Sequence, residues 1–285
     1  MVKQVKKEVK KNTKIELKTE ELLNALQNMN KNYFTKDKIN MFKEQIEICQ
    51  EIVLKKKIDI KTWKKNELAK LVEEKGKERY KSIAKIIGAI SIALNKANIF
   101  YLREAQILAL LIFIDNFESQ EKIDTKDQKG IIEEIQTGEG KSSIISCLAA
   151  YFALNKHRVD IITSSNLLAE RDANKFKKFF DLFKLKVGFC KANNKDKDKD
   201  SRSQPYRGDI VYGTFLSFEG DLLEEISSNQ NIRGKREYDI IIIDEVDNAF
   251  IDCIEGSTQL SKSSKGYQFL FPLYISIYFF VDILP

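Results

Sequence analysis

Histidine and proline are scarce in this sequence, and its cysteines are far apart. The 285 residues include one histidine, three prolines and four cysteines. The lone His157 leaves no partner for a histidine metal site or a Ser-His-Asp triad. The dispersed cysteines give neither the spacing of zinc ligands nor a disulfide framework. The composition therefore excludes histidine chemistry and suits a reducing compartment.

Neither sign of charge dominates. Lysine and arginine total 48 against 42 acidic residues, a net charge of +6. This balance permits an anionic partner, although interleaved charges of this kind more often form solvated faces. The first fifteen residues are rich in lysine and lack an apolar core, so no secretory signal is predicted, while a basic amphipathic targeting role stays open. We expect cytoplasmic residence, with peripheral contact to a membrane as an option.

A glycine-containing loop is the most informative segment. It runs from Ile135 through Thr137, Gly138, Glu139 and Gly140 to Lys141 and Ser142. Glycines allow backbone N–H groups to converge on an anion, and the helix that follows adds the positive end of its dipole. Lysine would reach the phosphates of a nucleoside triphosphate, and the serine hydroxyl would bind Mg²⁺. The motif is incomplete, because Ile135 stands where a Walker loop has its first glycine.

An acidic motif follows an isoleucine run about a hundred residues later. Ile240 to Ile243 has the composition of a buried parallel strand, and Asp244 and Glu245 follow it directly. Asp244 is predicted to hold Mg²⁺ through water, and Glu245 to polarise the attacking water. Together with the loop, this motif predicts a site that binds ATP or another triphosphate with Mg²⁺.

The order of elements predicts an α/β fold, a RecA-like P-loop domain with a mainly parallel sheet, preceded by an α-helical region. Residues 1–97 have apolar positions at helical spacing, and residues 98–260 alternate strands with helices. The predicted strands are Ile131 to Ile135, Val159 to Thr163, Lys186 to Phe189, Asp209 to Tyr212 and Tyr238 to Ile243. Residues 261–285 form an apolar C-terminal segment. It is predicted as a buried element of a truncated chain, with a membrane span as the alternative.

Several ordered segments resemble the SecA preprotein translocase ATPases, especially their eukaryotic SecA-like branch. That family also lacks the first Walker glycine and carries Thr-Gly-Glu-Gly-Lys, found here from Thr137 to Lys141. Residues 160–172, which end in Leu-Ala-Glu-Arg-Asp, and residues 210–214 are similar to its next motifs. Asp-Glu-Val-Asp at 244–247, with Ile-Asp at 251–252, matches its acidic motif.

The resemblance implies further roles. Gln106 is similar to the family's adenine-reading glutamine, which implies ATP rather than GTP. A preprotein or a membrane translocation partner is implied, together with a second motor half that supplies an arginine and is not found in this sequence. Hydrolysis by this chain alone is therefore expected to be slow.

Two alternatives remain open at this stage. One is half of a superfamily 2 nucleic-acid helicase, which shares the fold. The residues that follow Thr163 disfavour it, so nucleic acid is not the expected partner. The other is a non-catalytic scaffold that retains the nucleotide-binding fold.

Overall fold

The computed structural model describes residues 20–28, 30–55, 71, 74, 78–120, 130–136, 138–190, 202–228, 231–234 and 236–247. Thr137 and the C-terminal segment 261–285 lie outside this part of the chain. Besides a helix at residues 20–28, the elements in chain order are α1 (Lys36–Lys55), α2 (Arg79–Lys96), α3 (Glu104–Gln120), α4 (Lys141–Leu154), β1 (Val159–Ile162), α5 (Asn166–Leu182), β2 (Val187–Phe189), a 3₁₀ turn (Pro205–Arg207), β3 (Ile210–Gly213), α6 (Phe215–Ser228) and β4 (Ile240–Ile243).

The four strands form one parallel sheet in the order β2-β3-β1-β4. Successive strand residues enter two different apolar clusters: Ile161 packs with the helices α2 to α5, and its neighbour Ile162 packs with Phe218 of α6. Because side chains alternate across a strand, these clusters lie on opposite faces of the sheet. The predicted α/β class and four of the five predicted strands are confirmed.

The prediction of a strand from Ile131 to Ile135 is wrong. These residues have no regular secondary structure, and the Ile132 side chain is 84% exposed. A strand needs a neighbour for its backbone N–H and C=O groups. Among the described strands, β4 ends the sheet and pairs only with β1. The apolar run pairs with none of the described strands, not even along the outer edge of β4.

Helix α2 is buried along most of its length. Its residues from Ser82 to Leu94 are all buried except Lys85, and it contacts α1, α3, α4 and α5. A helix that is apolar on nearly all sides belongs inside a core. The helices at 20–28, 36–55 and 79–96 confirm the predicted helical character of the N-terminal region where it is described.

A polar network joins α2 to the C-terminal end of α4. Arg79 donates to Glu118 Oε1 at 2.6 Å, to the Tyr151 hydroxyl at 3.1 Å and to Asn155 Oδ1 at 3.2 Å. Tyr151 also donates to Glu118 at 2.9 Å. One apolar cluster extends across residues 97 and 98. The apolar packing therefore continues across the predicted boundary between residues 97 and 98.

Candidate nucleotide-binding site

The glycine loop leads directly into helix α4. Gly138 and Gly140 have φ angles of +87° and +86°, which disfavour residues that carry a Cβ. Gly140 is the N-cap of α4, and Lys141 is the first residue of that helix. The first N–H groups of a helix lack partners within the helix, so this end of α4 offers donors to an anion.

The predicted acidic pair lies at the carboxyl end of β4. The backbone N–H of Asp244 donates to the carbonyl of Ile162 at 2.9 Å, which extends the pairing of β4 with β1. Burial raises the pKa of the Asp244 carboxyl, and the Lys141 ammonium opposes that shift. Helix α4, which begins at Lys141, also contacts β4, so the Lys141 charge acts on Asp244 although the two residues are 103 positions apart in the sequence.

Glu245 occupies a different environment from Asp244. Its side chain is exposed, and its backbone is left-handed, with φ at +54°. A residue with a Cβ rarely adopts this conformation, and such strain is often found at functional sites. The negative charge of Glu245 adds to the rise of the Asp244 pKa, as does that of Asp172. The charges of two other carboxylates, Glu245 and Asp172, and of the Lys141 ammonium therefore act on Asp244.

Gln106 contacts the glycine loop directly. Its amide Nε2 donates to the Glu139 carbonyl at 2.8 Å, and its Oε1 accepts from the backbone N–H of Arg103 at 3.0 Å. The side chain is almost fully buried, at 2% exposure. Arg103 also binds Glu139, at 2.9 Å to the carbonyl and 2.8 Å to the carboxylate. The start of α3 is thereby joined to the loop by side chains.

Most of the predicted site residues converge on one edge of the sheet. Gln106, Glu139 and Gly140 are in mutual contact, and Lys141 and Ser142 follow as the first turn of α4. The Ser142 carbonyl accepts from Ser146. The function of each residue stays a prediction.

Arg171 and Asp172 also act on the charge of the site, although neither was predicted as a site residue. Arg171 Nε donates to Asp172 Oδ1 at 2.8 Å, and Asp172 is buried while Arg171 is exposed. The hydrogen bond to Asp172 raises the pKa of Arg171, and the Asp244 carboxylate adds to that rise. Their position could have been predicted from the sequence. Both residues are on α5, the helix that follows the carboxyl end of β1, and the carboxyl ends of parallel strands lie at the same edge of a sheet.

The described residues include no group of three or more acidic, histidine or cysteine side chains arranged to hold a metal ion. This arrangement is compatible with Mg²⁺, which usually keeps several waters and binds through one or two carboxylates and the phosphates of a substrate. Ser142 and Asp244 remain its predicted ligands. Among the helices of the described residues, none is both long and apolar enough to span a bilayer.

Three features together define a RecA-like α/β domain. They are the parallel sheet, the glycine loop that leads into α4, and the acidic pair that follows β4. The chain matches the family described as "SecA DEAD-like domain" over residues 1–273. It therefore belongs to the SecA DEAD-like domain family, as the resemblance predicted.

Curated relatives agree with this assignment. The chain is 36% identical over 140 residues to the "Protein translocase subunit SecA" of Pseudomonas putida, an alignment that covers 48% of the chain and 15% of the relative. It is 37% identical over 139 residues to the protein of the same name from Leptospira biflexa, covering 48% of the chain and 14% of the relative. The match to the Campylobacter fetus protein of that name is 32% over 145 residues, covering 48% and 16%. The aligned part is thus a small share of each relative's length.

Proposed function

We propose that this chain binds ATP with Mg²⁺ and acts as a motor half that couples ATP binding and hydrolysis to protein targeting or translocation across a membrane. The single observation that supports this most strongly is the packing of α4, which begins at Lys141, against β4, which ends directly before Asp244. A cation and a carboxylate in these two places suit a phosphate chain and its magnesium ion.

The loop is proposed to hold a phosphate group. Apart from Gly138 and its chain neighbours, no atom of the described residues lies within 4 Å of the position that a Cβ on Gly138 would take. Lys141 binds the β- and γ-phosphates in this proposal, while Ser142 and Asp244 hold Mg²⁺. The metal ion neutralises charge on the phosphate oxygens. Thr137, Gly138, Glu139 and Gly140 supply the loop's backbone.

Gln106 supplies base selectivity in the proposal. An amide can both donate to and accept from the adenine edge. Its present bonds to Arg103 and Glu139 would be exchanged or shared when the base binds. Binding of adenine to Gln106 would then change the hydrogen bond that this side chain makes with the glycine loop.

Catalysis is proposed to be slow in this chain alone. Glu245 is exposed beside Asp244 and orients a water for attack. The arginine that the resemblance assigns to a second motor half is a separate contribution, typically about 10³- to 10⁵-fold in rate. Arg171 is a cation of this chain near Asp244, and it is proposed to attract the phosphate chain rather than to replace that arginine.

The cellular role is proposed from the relatives, which carry the name of a protein translocase subunit. A preprotein, a membrane translocation partner and a second motor half are the proposed partners. The proposed location is the cytoplasm, with peripheral attachment to a membrane. Nucleic acid is not a proposed partner.

The test is calorimetric titration of the chain with ATP and GTP, with and without Mg²⁺. Lys141→Ala is expected to abolish nucleotide binding, and Glu245→Gln to retain binding while losing any slow hydrolysis. Lys178→Ala, an exposed lysine on α5, is the matched control and should bind as the wild type does. Equal ATP affinity in the wild type and Lys141→Ala would contradict the proposal. Stimulation of turnover by RNA or DNA would favour a helicase instead.

A further inference from the structure

Strand β4 leads directly into the acidic pair, Asp244 and Glu245, but the side chains of the strand do little to fix its register. It consists of four isoleucines, and it pairs with β1 so that Ile240 lies opposite Val159 and Ile243 opposite Ile162. In most strands a slip of one residue exposes apolar side chains and buries polar ones, which fixes the register. A run of four isoleucines presents isoleucine to both faces, so a slip is opposed only weakly.

The slip would matter at the site. It would move the chain by about 3.3 Å and turn residue 244 to the opposite face of the sheet. Asp244 would then no longer face Lys141. Among the described strands, β4 has one neighbour, so its described ladder contacts all come from β1.

A buried arginine just before β4 provides the missing constraint. The Arg236 side chain is 3% exposed, and its Nε and Nη2 donate to Asp160 Oδ1 at 3.0 and 2.8 Å. Its Nη2 also donates to the Val159 carbonyl at 2.9 Å, and its Nη1 to the Gly208 carbonyl at 2.6 Å. One planar guanidinium thus contacts both β1 and Gly208, two residues before β3 begins.

These bonds fix the position of Arg236 against β1 and against the residues that lead into β3. A guanidinium is a rigid fork of donors, and here its acceptors lie on two neighbouring chain segments. A slip of one residue would withdraw it and leave the Asp160 carboxylate buried without its cation, which is strongly unfavourable.

Neighbouring contacts support the same register. The Asp239 carboxylate accepts from the Arg158 backbone N–H at 2.8 Å, directly before β4 and β1 begin. Arg233 packs over the Tyr238 ring, 3.5 Å from its centroid, and donates to the Arg236 carbonyl at 3.0 Å. The segment that leads into β4 is therefore attached at several points.

We propose that Arg236, through its pair with Asp160, is a positioning residue that sets the register of β4 and thereby places Asp244 and Glu245 at the far end of the sheet. The placement of the strand is independent of ligand. Its consequence for Mg²⁺ rests on the proposed function.

The decisive variant is the double substitution Arg236→Met with Asp160→Leu. An apolar pair of similar size often preserves or increases stability, because it removes two buried charges. Arg236→Met alone would leave Asp160 unpaired and would confuse loss of register with loss of stability. Arg202→Met is the matched control, since Arg202 binds Asp221 and Glu224 of α6 and does not contact β4.

The first readout is NMR of the full chain with labelled isoleucine methyl groups. The wild type and Arg202→Met are expected to give one set of contacts, in which Ile161 lies opposite Ile242. The double variant should give a second set, in which Ile161 lies opposite Ile241 or Ile243. Asp160→Asn, which keeps an oxygen for Arg236, is measured in parallel and should show a weaker second set. A single unchanged set in the double variant and in Asp160→Asn would overturn the proposal.

The second readout is the gain in ATP affinity on adding Mg²⁺. The double variant should lose at least five-fold of this gain while its Mg²⁺-free affinity stays within two-fold of the wild type. A merely structural role would lower both affinities together, and that result would overturn the positioning role. If the wild type binds no nucleotide, the proposed function fails, but the isoleucine contacts still decide the register.

Discussion

Replacing Gly140 by alanine should be more damaging than replacing Gly138, although both glycines have nearly the same φ. The left-handed backbone alone costs an alanine about 1 to 2 kcal/mol at either position. At Gly138 no atom of the described residues beyond its chain neighbours lies within 4 Å of the added Cβ, so this strain is the expected effect. At Gly140 the added Cβ would lie 2.6 Å from Gln106 Nε2.

The extra cost at Gly140 follows from displacing that amide. Gln106 is buried, and its Nε2 would lose the hydrogen bond to the Glu139 carbonyl. A buried polar group left without a partner costs about 1 to 3 kcal/mol. We therefore expect Gly138→Ala to lower the free energy of unfolding by about 1 to 2 kcal/mol, and Gly140→Ala by about 2 to 5 kcal/mol.

Urea denaturation of both variants measures these costs. The same pair of substitutions in a Gln106→Ala background completes the comparison, since the difference between the two glycines should then nearly vanish. If the two variants differ by less than about 0.5 kcal/mol in the original background, the contact between Gln106 and the loop has no energetic importance and the reasoning is wrong.

Three further results are expected. Burial raises the pKa of Glu133 from 4.5 to about 7, so between these pH values the folded state holds a proton that the unfolded state has released, and the free energy of unfolding should fall as pH rises. Glu133→Gln should remove about 1 to 3 kcal/mol of this fall, measured by denaturation at pH 5 and pH 8. The same pH dependence in the wild type and the variant would contradict the prediction. Ser165 caps α5 by accepting from the Leu168 N–H at 3.3 Å, so Ser165→Ala should cost about 1 kcal/mol, with Ser164→Ala as the control that costs little. Phe180 is fully buried in the larger apolar cluster. Phe180→Ala should lower the free energy of unfolding by about 3 to 5 kcal/mol. A loss below about 1 kcal/mol would mean that the core around Phe180 is not packed as described.

The strands were predictable where composition and environment agree. Ile240 to Ile243 is a run of isoleucines, Val159 to Ile162 is β-branched apart from Asp160, and both pair with neighbouring strands. Ile131 to Ile135 has a similar composition, but no described strand lies beside it, and local sequence cannot supply a partner. The proximity of Lys141 to Asp244 was also predictable, because parallel strands end at one edge.

Contacts between distant side chains were not predictable in the same way. No pattern in the sequence indicates that Gln106 donates to the Glu139 carbonyl, since a glutamine at a helix start has many possible partners. Asp160 stands in an apolar strand, where a carboxylate would be unfavourable alone. Its partner Arg236 lies 76 positions away, so only the fold reveals that the two charges meet.

The burial of α2 against α1, α3, α4 and α5 has a practical consequence for transferring the nucleotide-binding region into another protein. The loop, Lys141 and Asp244 all belong to the sequence after residue 98, so a shortened recombinant fragment or a domain graft would naturally begin there. Such a fragment would lack α2 and expose the apolar surfaces of α3, α4 and α5 that contact it. It would also leave Glu118 and Tyr151 without Arg79. The smallest transplantable unit therefore begins well before the nucleotide-binding motifs, at α1 or earlier.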